Sequence, residues 1–459
     1  MKLWTYIKDE ALKNPSQTIQ EDNSEITFEE TVIFAEQFAK KIRGEKCCAV
    51  LCVSETAAAI GILTCVAAGV TAIPLPYRYG EKYFNRIINA VNPTCMITDL
   101  TGKLDVIFLP DSGYVFPEEK PAFIMFSSGT TGKPKGIMLS EKNIISNIKG
   151  ISLYFNIKND DSILISRPLF HCAVMVGEFF ISLVKGDKIQ FYSDNFNPFT
   201  YAELIKEKNI TIFCGTPTMM RAFSRLRKKT TSLPLKNIAI SGEYMSDETA
   251  TKLKKAFPHA NIYYVYGLTE ASPRVAYLPP ENFGEGKLSV GRPLKSVKIK
   301  ILKEDGSLAK TNETGVLWVK GGNVMLGYFN DKKKTEETIK DGWLKTGDVA
   351  YIDEQGFLNI KGRSDDMIIR AGMNIYPQEI EEILKTDLKV KDVFVYGVPD
   401  KNEGMKIAMK ISGNFADEKE VREMCLSRLP SFEVPTIIEI VDEINKTGFG
   451  KIIRGDKNV

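Results

Sequence analysis

The feature that most constrains this chain is an alternation. Short apolar runs are separated by amphipathic stretches through the first part of the sequence. Cys47–Val53, Thr94–Thr98, Lys188–Tyr192, Ile210–Cys214, Asn237–Ser241 and Asn261–Tyr264 read as strands, and Glu81–Val91 as a helix. Strand–helix alternation predicts doubly wound sheets in an α/β fold. In such sheets ligands bind where the carboxyl ends of the strands gather their loops. The texture changes after Pro279. Lys295–Leu302, Gly315–Lys320 and Val349–Ile352 read as strands joined by Gly, Asp and Asn turns, which predicts a small β-barrel-like part. Helix returns at Pro377–Lys385. A polar segment, Lys361–Asp366, separates the β-rich part from a tail that alternates again: Asp392–Val398, Lys406–Ser412, Asp417–Leu429, Thr436–Val441. That tail is a plausible small domain.

Length agrees with more than one domain, since 459 residues exceed a single small core. Lys+Arg (61) nearly balances Asp+Glu (58), so no positive excess is available to neutralise phosphates, and no nucleic-acid partner is expected. The basic runs Arg225–Lys229 and Lys332–Lys334 read as solvated helix faces or turns. None of the eight cysteines forms a C-x-x-C pair, and most sit in apolar runs, so buried reduced thiols are expected and zinc is not. Met1–Glu10 lacks a basic stretch followed by an apolar one, which predicts no secretory signal there and a cytoplasmic location. The charge-free stretch Ala57–Pro76 could be mistaken for a membrane span. With Ser54 as N-cap, Gly69 as a stop and Pro74 and Pro76 beyond, it reads instead as a buried helix followed by the strand Thr71–Leu75.

The buried strand Phe123–Phe126 is followed by Ser127-Ser128-Gly129-Thr130-Thr131-Gly132-Lys133-Pro134-Lys135-Gly136. Glycines let backbone N–H groups approach an anion, hydroxyls add donors, and Lys133 and Lys135 add charge. Proline follows Gly-Lys, so this is not the P-loop pattern. Ile137–Leu139 is strand-like and Ser140 is a good N-cap. The loop is therefore expected to join two strands rather than to lead into a helix.

This segment resembles the signature loop of the adenylate-forming superfamily, the acyl-CoA synthetases, adenylation domains and luciferases. Four further segments follow in family order: Tyr266–Glu270, Gly342–Asp348, Gly362–Asp366 and Asn445–Arg454. The resemblance implies a large N-terminal domain over residues 1–362, a hinge over 363–366 and a small mobile α+β domain over 367–459. It implies ATP-dependent activation of a carboxylic acid to acyl-AMP, then transfer to a thiol. Ser127, Ser128, Gly129, Thr130, Thr131, Gly132 and Lys135 would hold the phosphates. Thr269 would contact the α-phosphate, and Glu270 would hold Mg²⁺, a hard cation suited to phosphate oxygens. Tyr266 would stack on adenine, with Gly267 beside it and Gly242 and Glu243 lining the base. Asp348 would take the ribose hydroxyls, with Arg363 helping. Lys451 would bridge the attacking carboxylate and the α-phosphate. Asp365 takes the hinge position, and Gly372 would line a pantetheine tunnel opened by domain rotation.

By the same resemblance, Leu169-Phe170-His171-Cys172 lies near the acid pocket, with Gly215, Thr216 and Gly177 lining the rest. His171 stands where α-amino-acid adenylation domains usually carry an aspartate. That points to a fatty or aromatic acid without an α-amino group. CoA and the phosphopantetheine of a carrier protein present the same reactive arm, so both acceptors stay open. The chain departs from the family in three places, the smallest being Asn445 in place of a common proline before Lys446-Thr447. Tyr264 stands where the family usually has Asn or Gln, and the stretch between Pro76 and Pro121 is shorter than usual.

Overall fold

The structure is a computed structural model that describes residues 1–110, 119–127, 135–226, 228–370, 373–400 and 404–446. Among these, the first large sheet has the order Gly327–Tyr328, Lys135–Leu139, Phe123–Ser127, Thr71–Pro74, Cys47–Leu51, Cys95–Thr98, Asp105–Phe108. Its four central strands are parallel and its edges antiparallel. The stretch that could have been a membrane span is the helix Glu55–Ala68. The Ser54 side chain caps its start by accepting from the Ala57 N–H at 3.2 Å, a contact worth about 1 kcal/mol. Gly69 ends it at φ +67°, where a Cβ would be strained. The helix is apolar on all sides because it is enclosed by its own sheet and by helix Phe28–Ile42. Among the described residues no helix is long and apolar enough to cross a membrane.

The second large sheet runs Arg292–Pro293, Arg274–Leu278, Asn261–Gly267, Asn237–Ile240, Ile212–Gly215, Ser162–Ile165, Lys188–Phe191, Thr18–Glu21, Ser24–Thr27. Six central strands are parallel, with antiparallel edges on both sides. The doubly wound architecture is thus present with mixed edges. The hairpin Thr18–Thr27 and the exposed strand Asp105–Phe108 have no counterpart in the sequence reading. Lys332–Lys334 opens a solvated helix, Lys332–Thr338. All eight cysteines are reduced and buried.

Two carboxylates join the sheets. Glu21, on the second sheet, accepts from Ser54 Oγ at 2.6 Å and from the N–H groups of Glu55 and Thr56 at 2.9 Å each. It sits on the amino end of helix Glu55–Ala68, where unpaired N–H groups and the helix dipole favour an anion. Glu55 in turn accepts from the Leu169 N–H at 3.0 Å, holding the segment that leads to His171.

The barrel-like part is a five-stranded antiparallel sheet built on the long strand Trp343–Ile352. Residues from Ile368 onward form a second core around Ile380, Val393, Ile407 and Val421. The strands Val390–Asp400, Gly404–Gly413 and Ile437–Ile440 make its sheet. The fold is therefore α/β, with a large N-terminal and a small C-terminal domain. One local expectation changes. Lys361, Gly362 and Arg363 are not free linker but the end of strand Leu358–Arg363, paired with Asp348 and Val349. The polar composition of that end reflects its ion pairs rather than an absence of ladder bonds.

Burial pushes the Glu55 carboxyl up to about 7, against the Leu169 N–H and the Arg78 charge. An acid whose pKa is raised on folding binds protons more tightly when folded. Its contribution to stability is complete below the ordinary carboxylate range and falls as pH rises through about 7. Glu55→Gln keeps an acceptor for Leu169 and removes the titration. The fall in thermal midpoint between about pH 5 and pH 8 should become shallower. It should not vanish, because burial also raises Asp187, to about 8. An unchanged slope contradicts this assignment.

Candidate functional site

The carboxyl ends of three adjacent parallel strands supply one side of the site. Strand Ile212–Gly215 ends in Gly215 and Thr216, and Thr216 caps helix Pro217–Ser224 by accepting from the Met219 N–H at 3.3 Å. Strand Asn237–Ile240 runs into Gly242, whose φ of +94° suits glycine alone among common residues. Glu243 follows, and its carboxylate accepts from Thr218 N and Oγ1 at 3.1 and 2.7 Å. Tyr264 is buried and donates its hydroxyl to the Glu243 carbonyl at 3.0 Å. Strand Asn261–Gly267 delivers Tyr266 and Gly267. A Cβ on Gly267 would fall 1.9 Å from the Pro273 carbonyl oxygen, so the return of the chain requires glycine there.

Asp348 gathers a second group. Its Oδ2 accepts from the Tyr266 hydroxyl, and its Oδ1 from Arg363 Nη1 at 3.1 Å. The same Nη1 reaches the Thr346 carbonyl at 3.0 Å, and Thr346 Oγ1 accepts from the Asp348 N–H at 3.0 Å. Burial first, then the Asp348 charge, pushes the Tyr266 phenol well up, so it stays a donor. The ladder pair Asp348–Arg363 brings two of the sequence motifs side by side.

The turn Thr269–Ala271 carries the third group. Glu270 Oε1 accepts from the Tyr328 hydroxyl at 3.1 Å, and its backbone carbonyl from the Met325 N–H at 2.9 Å. Among the described residues Oε2 has no partner, which leaves it available to a cation. Two buried amides fix this turn. Asn147 Nδ2 donates to the carbonyls of Ala271 and Arg274 at 3.3 and 2.8 Å, and Asn147 Oδ1 accepts from the Arg274 N–H at 3.2 Å. Asn323 Nδ2 donates to the same two carbonyls at 2.9 and 3.0 Å.

His171 is half-buried, packed against Phe170 with ring centroids 4.0 Å apart and planes tilted by 35°, and opens the helical run Cys172–Lys185. Gly177 lies in a π-helical stretch of that run, Met175–Phe180, and faces the Arg274 guanidinium.

The phosphate-loop flanks pair as strands, Ser127 with Lys135, so the loop joins two strands of a hairpin. Ser128, Gly129, Thr130, Thr131, Gly132 and Lys133 lie outside the described residues, as do Gly372 and Lys451. Asp365 is exposed in the turn after strand Leu358–Arg363, where Ser364 donates to the Gly347 carbonyl from N at 2.8 Å and from Oγ at 3.0 Å. The structure thus joins Tyr266 to Asp348 and Arg363, and Gly215 and Thr216 to Gly242 and Glu243. Tyr328, Asn147, Asn323 and Arg274 were missed by sequence reasoning. Only Arg274 carried a signal, as a charge opening the apolar strand Arg274–Leu278.

The chain belongs to the AMP-binding enzyme family, the adenylate-forming enzymes. The family model for AMP-binding enzymes matches residues 7–329, and that for their C-terminal domain matches residues 379–451. A mitochondrial medium-chain acyl-CoA ligase ACSF2 from Rattus norvegicus is 36% identical over 72% of this chain and 56% of its own length. A long-chain-fatty-acid–CoA ligase from Haemophilus influenzae is 32% identical over 74% of this chain and 62% of its own length. A 2-succinylbenzoate–CoA ligase from Bacillus licheniformis is 34% identical over 72% of this chain and 69% of its own length. The chain therefore spans little more than half the length of the first of these relatives. Among solved structures, o-succinylbenzoate CoA synthetase from Bacillus subtilis, in complex with ATP and magnesium ion, matches with a TM-score of 0.85 at 25% identity. That match covers 98% of both chains. ATP-bound MatB from Rhodopseudomonas palustris matches at 0.84 and 24%, covering 98% of this chain and 97% of its own.

Asn147 is fully buried, and its removal strips the Arg274 N–H of its acceptor. Asn147→Ala should cost about 1–3 kcal/mol, read as a lower thermal midpoint than that of the surface control Lys332→Ala. A midpoint equal to the control's would remove the clamp from this account.

Proposed function

We propose that this protein activates a carboxylic acid with ATP, forming acyl-AMP and pyrophosphate, and then transfers the acyl group to the thiol of CoA. The observation that carries the reading is the placement of Asp348, held by Tyr266 and Arg363, close to Glu270, whose charge also acts on Arg363. Asp348 would then accept from vicinal ribose hydroxyls, and Tyr266 would stack on the base. Glu270 fits a magnesium ion: it is one carboxylate with an oxygen to spare, and Mg²⁺ typically takes one or two carboxylates beside substrate phosphates. When bound, the ion would neutralise charge on the phosphates. Thr269 would donate to the α-phosphate, and the loop Ser127–Gly136 would wrap the β- and γ-phosphates.

In this reading the acid lies between His171, Gly215 and Thr216. Its carboxylate oxygen attacks the α-phosphorus, and pyrophosphate leaves. Both partners are anions, so the step needs a cation between them. Lys451 is assigned that role. At about 4 Å and an effective dielectric near 20, one such contact is worth about 4 kcal/mol, or about a thousandfold in rate. The small domain then turns about Asp365, within 363–366, withdrawing Lys451 and presenting Gly372 to the thiol. His171, in place of an acidic partner for an ammonium group, supports an acid without an α-amino group, fatty or aromatic. Relatives named as CoA ligases support CoA over a carrier-protein phosphopantetheine as acceptor. Eight reduced cysteines suit a reducing compartment, and the cytoplasm is the proposed location.

Acid-dependent exchange of labelled pyrophosphate into ATP tests the first half-reaction. Exchange with a fatty or aromatic acid, followed by CoA thioester formation, supports the reading, and no exchange with any acid sinks it. Lys451→Ala should lower exchange about a thousandfold while still forming thioester from supplied acyl-AMP. Equal loss of both activities would refute the division of labour between the two domain positions.

A further inference from the structure

The outer face of the five-stranded sheet is basic and aromatic. Successive strand residues point to opposite faces. Val297, Leu317, Val319 and Leu344 go inward to the core, so Lys298, Lys300, Trp318, Lys320, Trp343 and Lys345 go outward. Lys340 joins them, opposite Trp343 on the short strand Ile339–Lys340. Lys298, Lys320, Lys340 and Lys345 are exposed, and Lys300 and both tryptophans are half-buried. Lys300 Nζ stands 4.5 Å from the ring centre of Trp343 and 5.5 Å from that of Trp318. Lys320 Nζ stands 5.8 Å from the ring centre of Trp343.

Among the described residues none of these five lysines makes an ion pair. The strands carry no carboxylate on this face. Glu313 pairs with Lys303, and Glu336 and Glu337 pair with lysines of their own helix. Asp341, Glu304 and Asp305 stand in turns at the rim, and Lys320 reaches only the Asp341 carbonyl, at 2.8 Å. Lys298 and Lys320 are direct partners across the ladder, a like-charge pairing that weakens a sheet. The whole chain has nearly as many acids as bases, 58 against 61, so composition does not account for this concentration. A face that keeps such repulsion is complementary to an anionic surface.

We propose that this face docks the protein peripherally on an anionic lipid bilayer. Clusters of about four to eight basic side chains are attracted to anionic headgroups. Tryptophan settles at headgroup depth, where its ring meets apolar chains and its N–H meets water. Lysine suits the same boundary, because its stem lies along an apolar ring while its ammonium reaches the headgroups. Other polyanions fit this face less well. The ammonium groups of Lys300 and Lys320 occupy indole surface that a stacked nucleic-acid base would need. The face carries lysine and no arginine, so it lacks the planar fork that pairs with the carboxylates of an acidic protein. Docking of this kind needs no membrane-spanning helix. The strand that presents Trp343 and Lys345 runs on to Asp348, so the docked protein holds its proposed nucleotide site beside the lipid.

The test is co-sedimentation of the full chain with vesicles of phosphatidylcholine alone, and with vesicles of phosphatidylcholine and phosphatidylglycerol in equal amounts. The wild type should bind the second and not the first, and added salt should release it. The triple variant Lys298→Ala, Lys320→Ala, Lys345→Ala should bind about a hundredfold more weakly, from about fivefold per lysine. Its thermal midpoint should not fall, because the repulsion between Lys298 and Lys320 goes with the side chains. Should it fall, the single variants Lys340→Ala and Lys345→Ala, each about fivefold weaker, carry the same test. Anionic vesicles should shift tryptophan emission to shorter wavelength in the wild type. They should not do so in the double variant Trp318→Phe, Trp343→Phe, which keeps Trp4 as its one tryptophan. Equal binding to both vesicle types, binding to neither, or undiminished binding by the lysine variants overturns the proposal. So does binding of a single-stranded oligonucleotide or an acidic protein that anionic vesicles fail to displace.

Discussion

The site depends on a pair of buried amides. Asn147 and Asn323 converge on the carbonyls of Ala271 and Arg274 and close the turn that carries Thr269 and Glu270. A turn between two strands would otherwise leave these carbonyls without donors in a dry interior, at a cost of about 1–3 kcal/mol each. Satisfying them from two separate elements, helix Glu141–Ser152 and the loop after strand Gly315–Gly321, locks the turn from both sides. Glu270 and Arg274 leave the same clamped segment in different directions. One meets Tyr328, and the other faces Gly177. The clamp therefore sets the spacing between the proposed phosphate side of the site and the proposed acid side.

The connection to the small domain is polar. Arg221, at the end of the helix capped by Thr216, pairs with Glu382 of helix Pro377–Leu384. Lys361 pairs with Glu379 of the same helix at 2.6 Å. The Lys361–Glu379 pair is part-exposed and costs little to exchange for hydration, whereas the Arg221–Glu382 pair is largely buried and must be rehydrated when it opens. A domain held by such pairs can turn about the 363–366 segment, which the proposed two-step reaction requires. That segment is tied to the proposed ribose side through the ladder pair of Arg363 with Asp348, so the proposed pivot and the proposed nucleotide contacts share residues.

Much of this was legible in the sequence because it is local. The cap at Ser54, the stop at Gly69, the helix Glu81–Val91 and the strand-to-strand course of the phosphate loop each follow from residues within a few positions. The motif residues were legible because the family resemblance orders them. What was not legible is long-range. Tyr328 meets Glu270 across 58 positions, and Asn147 meets Arg274 across 127, with no pattern in either neighbourhood to announce the contact. Lys361–Arg363 read as linker because its polar residues serve ion pairs, although its backbone lies in a ladder. The hairpin Thr18–Thr27 is short and half polar, and it becomes strand only because the sheet edge beside Lys188–Phe191 receives it.

The central claim is that the acid's own oxygen attacks the α-phosphorus of ATP. Oxygen-18 supplied in the carboxylate of an accepted acid follows that oxygen directly. Attack at the α-phosphorus predicts the label in the phosphate of AMP after thioester formation, and none in pyrophosphate. Label in inorganic phosphate or pyrophosphate, with AMP unlabelled, would place the attack on another phosphorus and contradict the account.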